Sequence, residues 1–225
     1  MDIFLQSVKK FRILWIFAII FSVLTIVANE SRESRLDIVY ADSLELVVAT
    51  VEGEDITLRE FAVYVAHQEA EVQKQAEVYD PENTREYWNV HTDGVYISHA
   101  ARNEAMSMAI HDMLFYQLSQ ELKVSLTDEE LQTLNNDVED FWYDLTDDKK
   151  EDKLGITKED VYDSLQKIAL AQKAQFICAG IDAVKYSDYD YYEESFLDFL
   201  EDYEYHVNDS VLKRIDFGDV TLEHE

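Results

Sequence analysis

The side chains most able to perform catalysis or bind a metal are few and scattered in this 225-residue sequence. The six histidines show no spacing that would place two imidazoles on one metal ion. No GxSxG, HExxH, Walker or GxGxxG motif is present. Cys178, the one cysteine, lies in an apolar helical pattern without a catalytic signature around it, which predicts a small buried hydrophobe. The sequence therefore predicts no catalytic residue, no metal site and no cofactor.

Acidic side chains dominate the composition, with 48 Asp and Glu against 19 Lys and Arg, a formal net charge of −29. So many acids leave no single carboxylate pair distinguishable as a general acid and base. Asp188 and Asp190 lack the loop glycine of an EF-hand, so the pattern does not predict a calcium site. Such a surface repels phosphate backbones, which excludes nucleic acid as a partner. It favours solubility and a weak attraction to basic polypeptides or cations.

The N-terminal residues are typical of an export signal. Lys9, Lys10 and Arg12 precede an almost continuous apolar run over residues 13–28. This run is slightly shorter than the about 20 residues that span a bilayer. We expect residues 1–28 to be a signal anchor or a signal peptide, with the uncleaved anchor preferred, and residues 29–44 to be a polar linker. Because basic residues stay on the cytoplasmic side, the rest of the chain is expected outside the cytoplasm.

One stretch, residues 46–61, predicts a strand, a turn and the start of a helix. Its β-branched apolar run reads as a buried strand, and Gly53 supplies the freedom for a tight turn. Thr57 with Glu60 forms a capping box, which begins a helix expected to reach about Val78. On that helix Glu69 is expected on the polar face, opposite the apolar stripe.

Three further helices are predicted downstream. Ser98 is expected to cap a helix over residues 99–123, and Thr127 with Glu130 forms a second capping box. Residues 146–153 read as a charged loop, after which Thr157 caps another helix.

The last part of the chain is predicted to hold a helix beginning at Ser187 and a terminal strand. We expect this strand, about residues 211–217, to pair with residues 46–51, because each would otherwise be an unpaired edge. The predicted fold class is α+β and predominantly α-helical, with a small sheet formed by N- and C-terminal strands.

The order of these capped helices resembles that of a known protein family. Residues 48–53, followed by Ile56-Thr57 and Glu60, resemble the "VATVNG-x-x-IT-x-x-E" opening of the SurA N-terminal-like family. That family comprises the chaperone domains of extracytoplasmic foldases such as SurA and PrsA. The phrases at residues 119–130 and 155–160 resemble its later helix starts. The resemblance covers roughly residues 46–205 and implies a chaperone domain over residues 45–225.

The resemblance implies a membrane-tethered extracytoplasmic chaperone, a holdase or foldase, that binds unfolded exported polypeptides. No cysteine precedes Cys178, which departs from the lipoprotein pattern of PrsA-type foldases. The glycine-rich parvulin module, which carries prolyl isomerase activity in full-length foldases, is expected to be absent because only Gly218 follows Gly180. Two alternatives stay open: a divergent peptidyl-prolyl cis-trans isomerase, or a membrane-anchored module that recognises one dedicated partner.

Five aromatic residues are the candidates for client contact. Phe141, Trp142 and Tyr143 are consecutive on a predicted helix, where successive side chains point about 100° apart. One neighbour cannot bury all three, so at least one should lie at the rim of the core or outside it. Tyr87 and Trp88 are a second candidate patch, with Trp88 interpreted first as a packing residue.

Overall fold

A computed structural model describes residues 37–223 of the chain. The predicted signal segment, residues 1–28, lies outside this range, as does the first half of the predicted linker, residues 29–36. Within residues 37–223, no helix combines the length and apolar character needed to span a membrane.

A three-stranded antiparallel sheet forms one end of the fold. Strands β1 (Val47–Val51) and β2 (Glu54–Thr57) form a hairpin, and β5 (Tyr205–Val207) pairs with the other side of β1. The two-residue turn of the hairpin holds Glu52 at φ 49° and Gly53 at φ 82°, the geometry that matches the twist of the strands. This confirms the predicted strand, turn and return.

Four long helices make up about half of the described fold. They are α1 (Leu58–Tyr79), α3 (Ile97–Glu121), α4 (Asp128–Asp147) and α6 (Lys158–Asp182), and α6 packs along both α3 and α4. Short elements connect them: α2 (Thr84–Trp88), the hairpin β3 (His91–Thr92) and β4 (Val95–Tyr96), and α5 (Lys150–Leu154). The described part of the chain is therefore predominantly helical with small sheets, as predicted.

The threonine caps confirm three of the five predicted helix starts. Thr57 and Thr127 accept the backbone N–H of Glu60 and Glu130, and each glutamate side chain reciprocates. Thr157 forms the same box with Asp160. Ser98 is not the cap of α3, because this helix begins at Ile97, two residues before the predicted start at residue 99, and Tyr96 is its N-cap.

Two boundaries around α3 and α4 differ from the predictions. The Ile97 N–H donates to the Val90 carbonyl (3.0 Å), so the chain passes directly from the β3–β4 hairpin into α3, with Tyr96 as the N-cap. Directly after the predicted charged loop, Leu154 is fully buried. This apolar anchor explains why residues 150–154 form a short helix instead.

The predicted helix from Ser187 is broken into two pieces. A 3-10 turn (Tyr186–Tyr189) precedes the short helix α7 (Glu194–Leu200). The aromatic residues of α7 pack against Phe115 of α3. The ring centroids of Phe196 and Phe199 each lie about 6 Å from the centroid of the Phe115 ring. Packing around this one ring, rather than helical spacing, determines the path of the chain.

The predicted terminal strand lies at different residues. The C-terminal strand does pair with β1, but it is Tyr205–Val207, and residues 209–212 form the short helix α8 (Asp209–Leu212). Asn208 ends the pairing, because its side chain donates to the Val47 carbonyl (3.0 Å) and its main chain turns into α8. The apolar residues that suggested a strand are buried as side chains of α8 and of the turns after it: Val211, Leu212, Ile215 and Phe217.

The end of the predicted linker packs against the domain. Tyr40 is buried and donates its hydroxyl proton to the Leu58 carbonyl at 2.7 Å. The Ile38 N–H donates to the Arg214 carbonyl. Residues 38–44 thus contact both the beginning and the end of the described fold.

Candidate functional site

An aromatic groove lies between helices α1, α3 and α6 and the segment that follows α6. It has a volume of about 460 Å³, and its lining is mainly apolar. The residues below are called the groove throughout: Val63, Tyr64, His67, Met108, His111, Asp112, Phe141, Leu165, Ile168, Gln172, Gln175, Tyr186, Asp190, Tyr191 and Tyr192. Apolar clefts with a few convergent polar groups are the usual form of a binding site.

A chain of polar contacts forms the floor of the groove. Tyr64 of α1 donates its hydroxyl proton to Asp112 (3.1 Å), and the other carboxylate oxygen lies 2.8 Å from Nδ1 of His111. Nε2 of His111 lies 2.9 Å from the Tyr189 carbonyl oxygen. Burial, and secondly the Asp112 charge, raises the pKa of the Tyr64 phenol well above its usual value. The floor therefore holds a neutral phenol, and its contacts join α1 and α3 to the C-terminal wall.

Residues 186–192 form one wall of the groove, called here the tyrosine wall. The Gln175 side chain of α6 donates to the Tyr186 carbonyl at 3.2 Å, and the Tyr191 hydroxyl donates to Glu104 at 2.7 Å. Burial, followed by hydrogen bonding to Asp182, raises the pKa of Tyr189 to about 12. Tyr186 and Tyr192 are 41% and 62% exposed, so their rings are open to a ligand.

The groove carries negative and no positive charge among its lining residues. Asp112 and Asp190 contribute carboxylates, and no lysine or arginine is present. Lys167 lies beyond one end of the groove, where it pairs with Glu60 and sits 5.3 Å above the Tyr116 ring. Across residues 37–223, no group of three His, Cys, Asp or Glu residues could hold a metal ion.

Comparison with known families identifies the domain. Residues 1–148 match the family described as the SurA-like N-terminal domain. The chain belongs to this family. No curated protein and no solved structure matches it.

The groove of this SurA-like domain combines residues from inside and outside the matched region. Helices α1, α3 and α4 lie within residues 1–148, whereas α6 and the tyrosine wall follow it. The family match and the resemblance found in the sequence agree on the first half of the domain. The second half of the groove is built by residues beyond that match.

The five predicted contact residues are not brought together by this SurA-like fold. Phe141 is half-buried and lines the groove, and Trp142 is half-buried against the core. Tyr143 is 66% exposed, which confirms that one of the three lies outside the core. Tyr87 and Trp88 lie in α2 and do not line the groove.

Tyr87 and Trp88 in α2 pack mainly against other residues of the domain. Trp88 is 3% exposed and lies against Gly218, which agrees with its interpretation as a packing residue. The Tyr87 hydroxyl donates to Gln75 at 3.1 Å, and its ring lies 5.2 Å from that of Tyr79. Tyr87 remains half-buried at the surface, so it keeps a partly open ring.

Sequence reasoning missed the most exposed part of the groove. The tyrosine wall carries the phrase YSDYDYYEE, most of which falls in the helix that the sequence predicts to begin at Ser187. A helix of that sequence would point its tyrosines around most of its circumference. One buried face could not hold all of these tyrosines, so some of them had to be exposed. The sequence could have indicated an exposed aromatic surface in this way.

Proposed function

We propose that this protein is a chaperone that binds unfolded stretches of exported polypeptides in the groove. The observation that carries the proposal is the groove itself: apolar side chains and open tyrosine rings lie side by side in a member of the SurA-like N-terminal domain family. Unfolded chains expose apolar side chains, and burying these against such a surface stabilises a weak complex without reading a sequence. The surrounding negative charge keeps the complex soluble.

The proposed activity is holding or folding clients rather than isomerising prolines. A tether completes the proposal: residues 1–28 anchor the chain in a membrane, with the domain on the extracytoplasmic side. The combination of Lys9, Lys10, Arg12 and the apolar run supports this arrangement. We expect the full-length chain to remain with membranes after alkaline extraction and to be digested by protease added from outside the cytoplasm. Release into the soluble fraction would contradict the anchor.

Suppression of client aggregation tests the groove directly. In Tyr186→Ser/Tyr192→Ser, two exposed rings are removed from the tyrosine wall. We expect suppression of several unrelated, thermally unfolding clients to weaken about ten- to thirtyfold, since each of the two rings contributes of order 1 kcal/mol when a client buries it. The melting temperature should stay nearly unchanged because both rings are open to solvent.

A matched pair of tyrosines outside the groove provides the control. Tyr79→Ser/Tyr96→Ser also removes two exposed rings, at 62% and 47% exposure, and should leave suppression intact. Trp142→Ser/Tyr143→Ser is expected to have a smaller effect than the tyrosine wall variant, because neither residue lines the groove. Equal losses in all three variants would contradict the groove as the binding site. Protection of one client alone would favour a module for a dedicated partner.

A further inference from the structure

The charges in the groove point to a narrower class of client, and this inference rests on the proposed function. The two lining carboxylates have unequal partners. Asp112 is engaged by Tyr64 and by His111. Asp190 has only long contacts, 3.4 Å from the Gln175 amide and 3.5 Å from the Tyr192 hydroxyl. A carboxylate accepts about four hydrogen bonds, so Asp190 keeps acceptor capacity that faces the groove.

No positively charged side chain competes for this capacity. Within residues 37–223, neither Asp112 nor Asp190 forms an ion pair with a lysine or arginine, and none lines the groove. Glu104 adds a third carboxylate at the outer side of the tyrosine wall, where it accepts the Tyr191 hydroxyl. Around a groove of limited polarity, this arrangement produces a negative potential that no lysine or arginine among the lining residues offsets.

The tyrosine rings favour the same charge as the carboxylates. Tyr186 and Tyr192 present open rings within the groove, and the negative face of an aromatic ring attracts ammonium and guanidinium groups. Lysine and arginine also carry long apolar stems, which can lie along Leu165 and Ile168 while the charged head reaches an aspartate. Apolar and cationic contacts are thus available to one extended segment.

We propose that the groove selects unfolded segments in which a lysine or arginine stands beside aromatic or aliphatic residues. Such segments satisfy both the apolar walls and the unpaired negative charge. Segments carrying acidic residues are disfavoured by repulsion from Asp112 and Asp190.

The test compares three unstructured fluorescent peptides that share one apolar sequence. They differ only at two positions, which hold lysine, norleucine or glutamate. Binding to the full-length protein is followed by fluorescence anisotropy. We expect the lysine peptide to bind about three- to tenfold more tightly than the norleucine peptide and the glutamate peptide to bind least. The lysine advantage should shrink as NaCl is raised, because the groove is open to solvent.

Charge-matched variants locate the source of the preference. Asp112→Asn/Asp190→Asn should abolish the lysine advantage, so that the lysine and norleucine peptides bind this variant equally. Asp190→Asn alone, which leaves the floor contacts intact, should remove about half of it. Glu201→Gln/Asp202→Asn changes the net charge equally at exposed residues outside the groove and should have no effect.

The possible failures of the two proposals are distinguishable. If the three peptides bind equally, or if the Glu201/Asp202 variant loses the lysine advantage as fully as the groove variant, the charge selection is wrong and client binding still stands. If no peptide binds, and Gln172→Trp, which fills the groove, leaves client protection unchanged, the proposed function itself is wrong.

Discussion

Glu69 shows how a single side chain can reverse the meaning of a sequence pattern. It was expected on the polar face of α1, yet it is fully buried. Its carboxylate accepts hydrogen bonds from the N–H groups of Gly218 and Thr221, at 2.6 and 2.7 Å, and from the Thr221 hydroxyl at 2.5 Å. The Val220 N–H also points to it at 3.2 Å. These donors lie far away in sequence, so helical periodicity could not reveal them.

Substitution of Glu69 should give a specific pH signature. Burial raises the pKa of this carboxyl from its ordinary value of 4.5, more than the hydrogen bonds from Thr221, Gly218 and Val220 lower it. The folded state therefore holds the proton more tightly than the unfolded state. Its contribution to stability is fully present below pH 4.5 and is lost as pH rises through the folded pKa.

We therefore expect Glu69→Gln, which cannot titrate, to lack this dependence. Between the two pKa values, the stability of the natural protein should fall relative to the variant by about 1.4 kcal/mol per pH unit. Urea unfolding over a pH series measures both profiles. Parallel profiles through this window would contradict a raised pKa at Glu69.

At the scale of elements, residues 214–222 act as a clamp over several parts of the fold. Besides the contacts to Glu69, Lys153 of α5 donates to the carbonyls of Thr221 and Leu222 at 3.2 and 3.1 Å. Arg85 of α2 pairs with Asp219 at 3.3 Å. This segment has little regular structure, so its stability depends on these contacts with α1, α2 and α5.

A pair of glycine substitutions tests the clamp. Gly218 has φ +103°, and an added Cβ would lie 2.7 Å from the Trp88 ring. Gly218→Ala should therefore destabilise the domain by about 1–3 kcal/mol through backbone strain and this overlap. In α6, Gly180 has open space around it, and Gly180→Ala should stabilise by about 0.5–1 kcal/mol. Thermal unfolding of both variants checks the expected opposite signs, and a neutral Gly218→Ala would argue against close packing of the clamp on Trp88.

Elements with local signals were predictable, and elements fixed by distant contacts were not. The capping boxes at Thr57, Thr127 and Thr157 are encoded within four residues, and each one forms. The short helix after Asn208 and the broken tyrosine wall depend on β1 and on Phe115, which lie far away in sequence. Sequence patterns carry no information about partners at that distance without a fold to place them.

At the scale of the whole molecule, the predicted class and family hold, while the candidate site shifts. A largely helical fold with β1 paired to a C-terminal strand follows from the apolar patterns and the edge argument. Of the five predicted contact residues, Phe141 alone lines the groove. The groove needs five separate elements to meet (α1, α3, α4, α6 and the tyrosine wall), and the exposed rings that distinguish it come from a segment that the sequence predicts as a helix.

The central position of β1 has a consequence for the timing of synthesis. A ribosome delivers β1, β2 and α1 early, but β5 and the residues that satisfy Glu69 emerge only after more than a hundred further residues. Until then one edge of β1 has no partner strand, and the Glu69 carboxylate lacks the backbone donors that it has in the folded domain. Folding of the domain can therefore be completed only after β5 and the residues that donate to Glu69 have been synthesised. If the protein protects other chains during export, its own nascent form passes through the same vulnerable stage first.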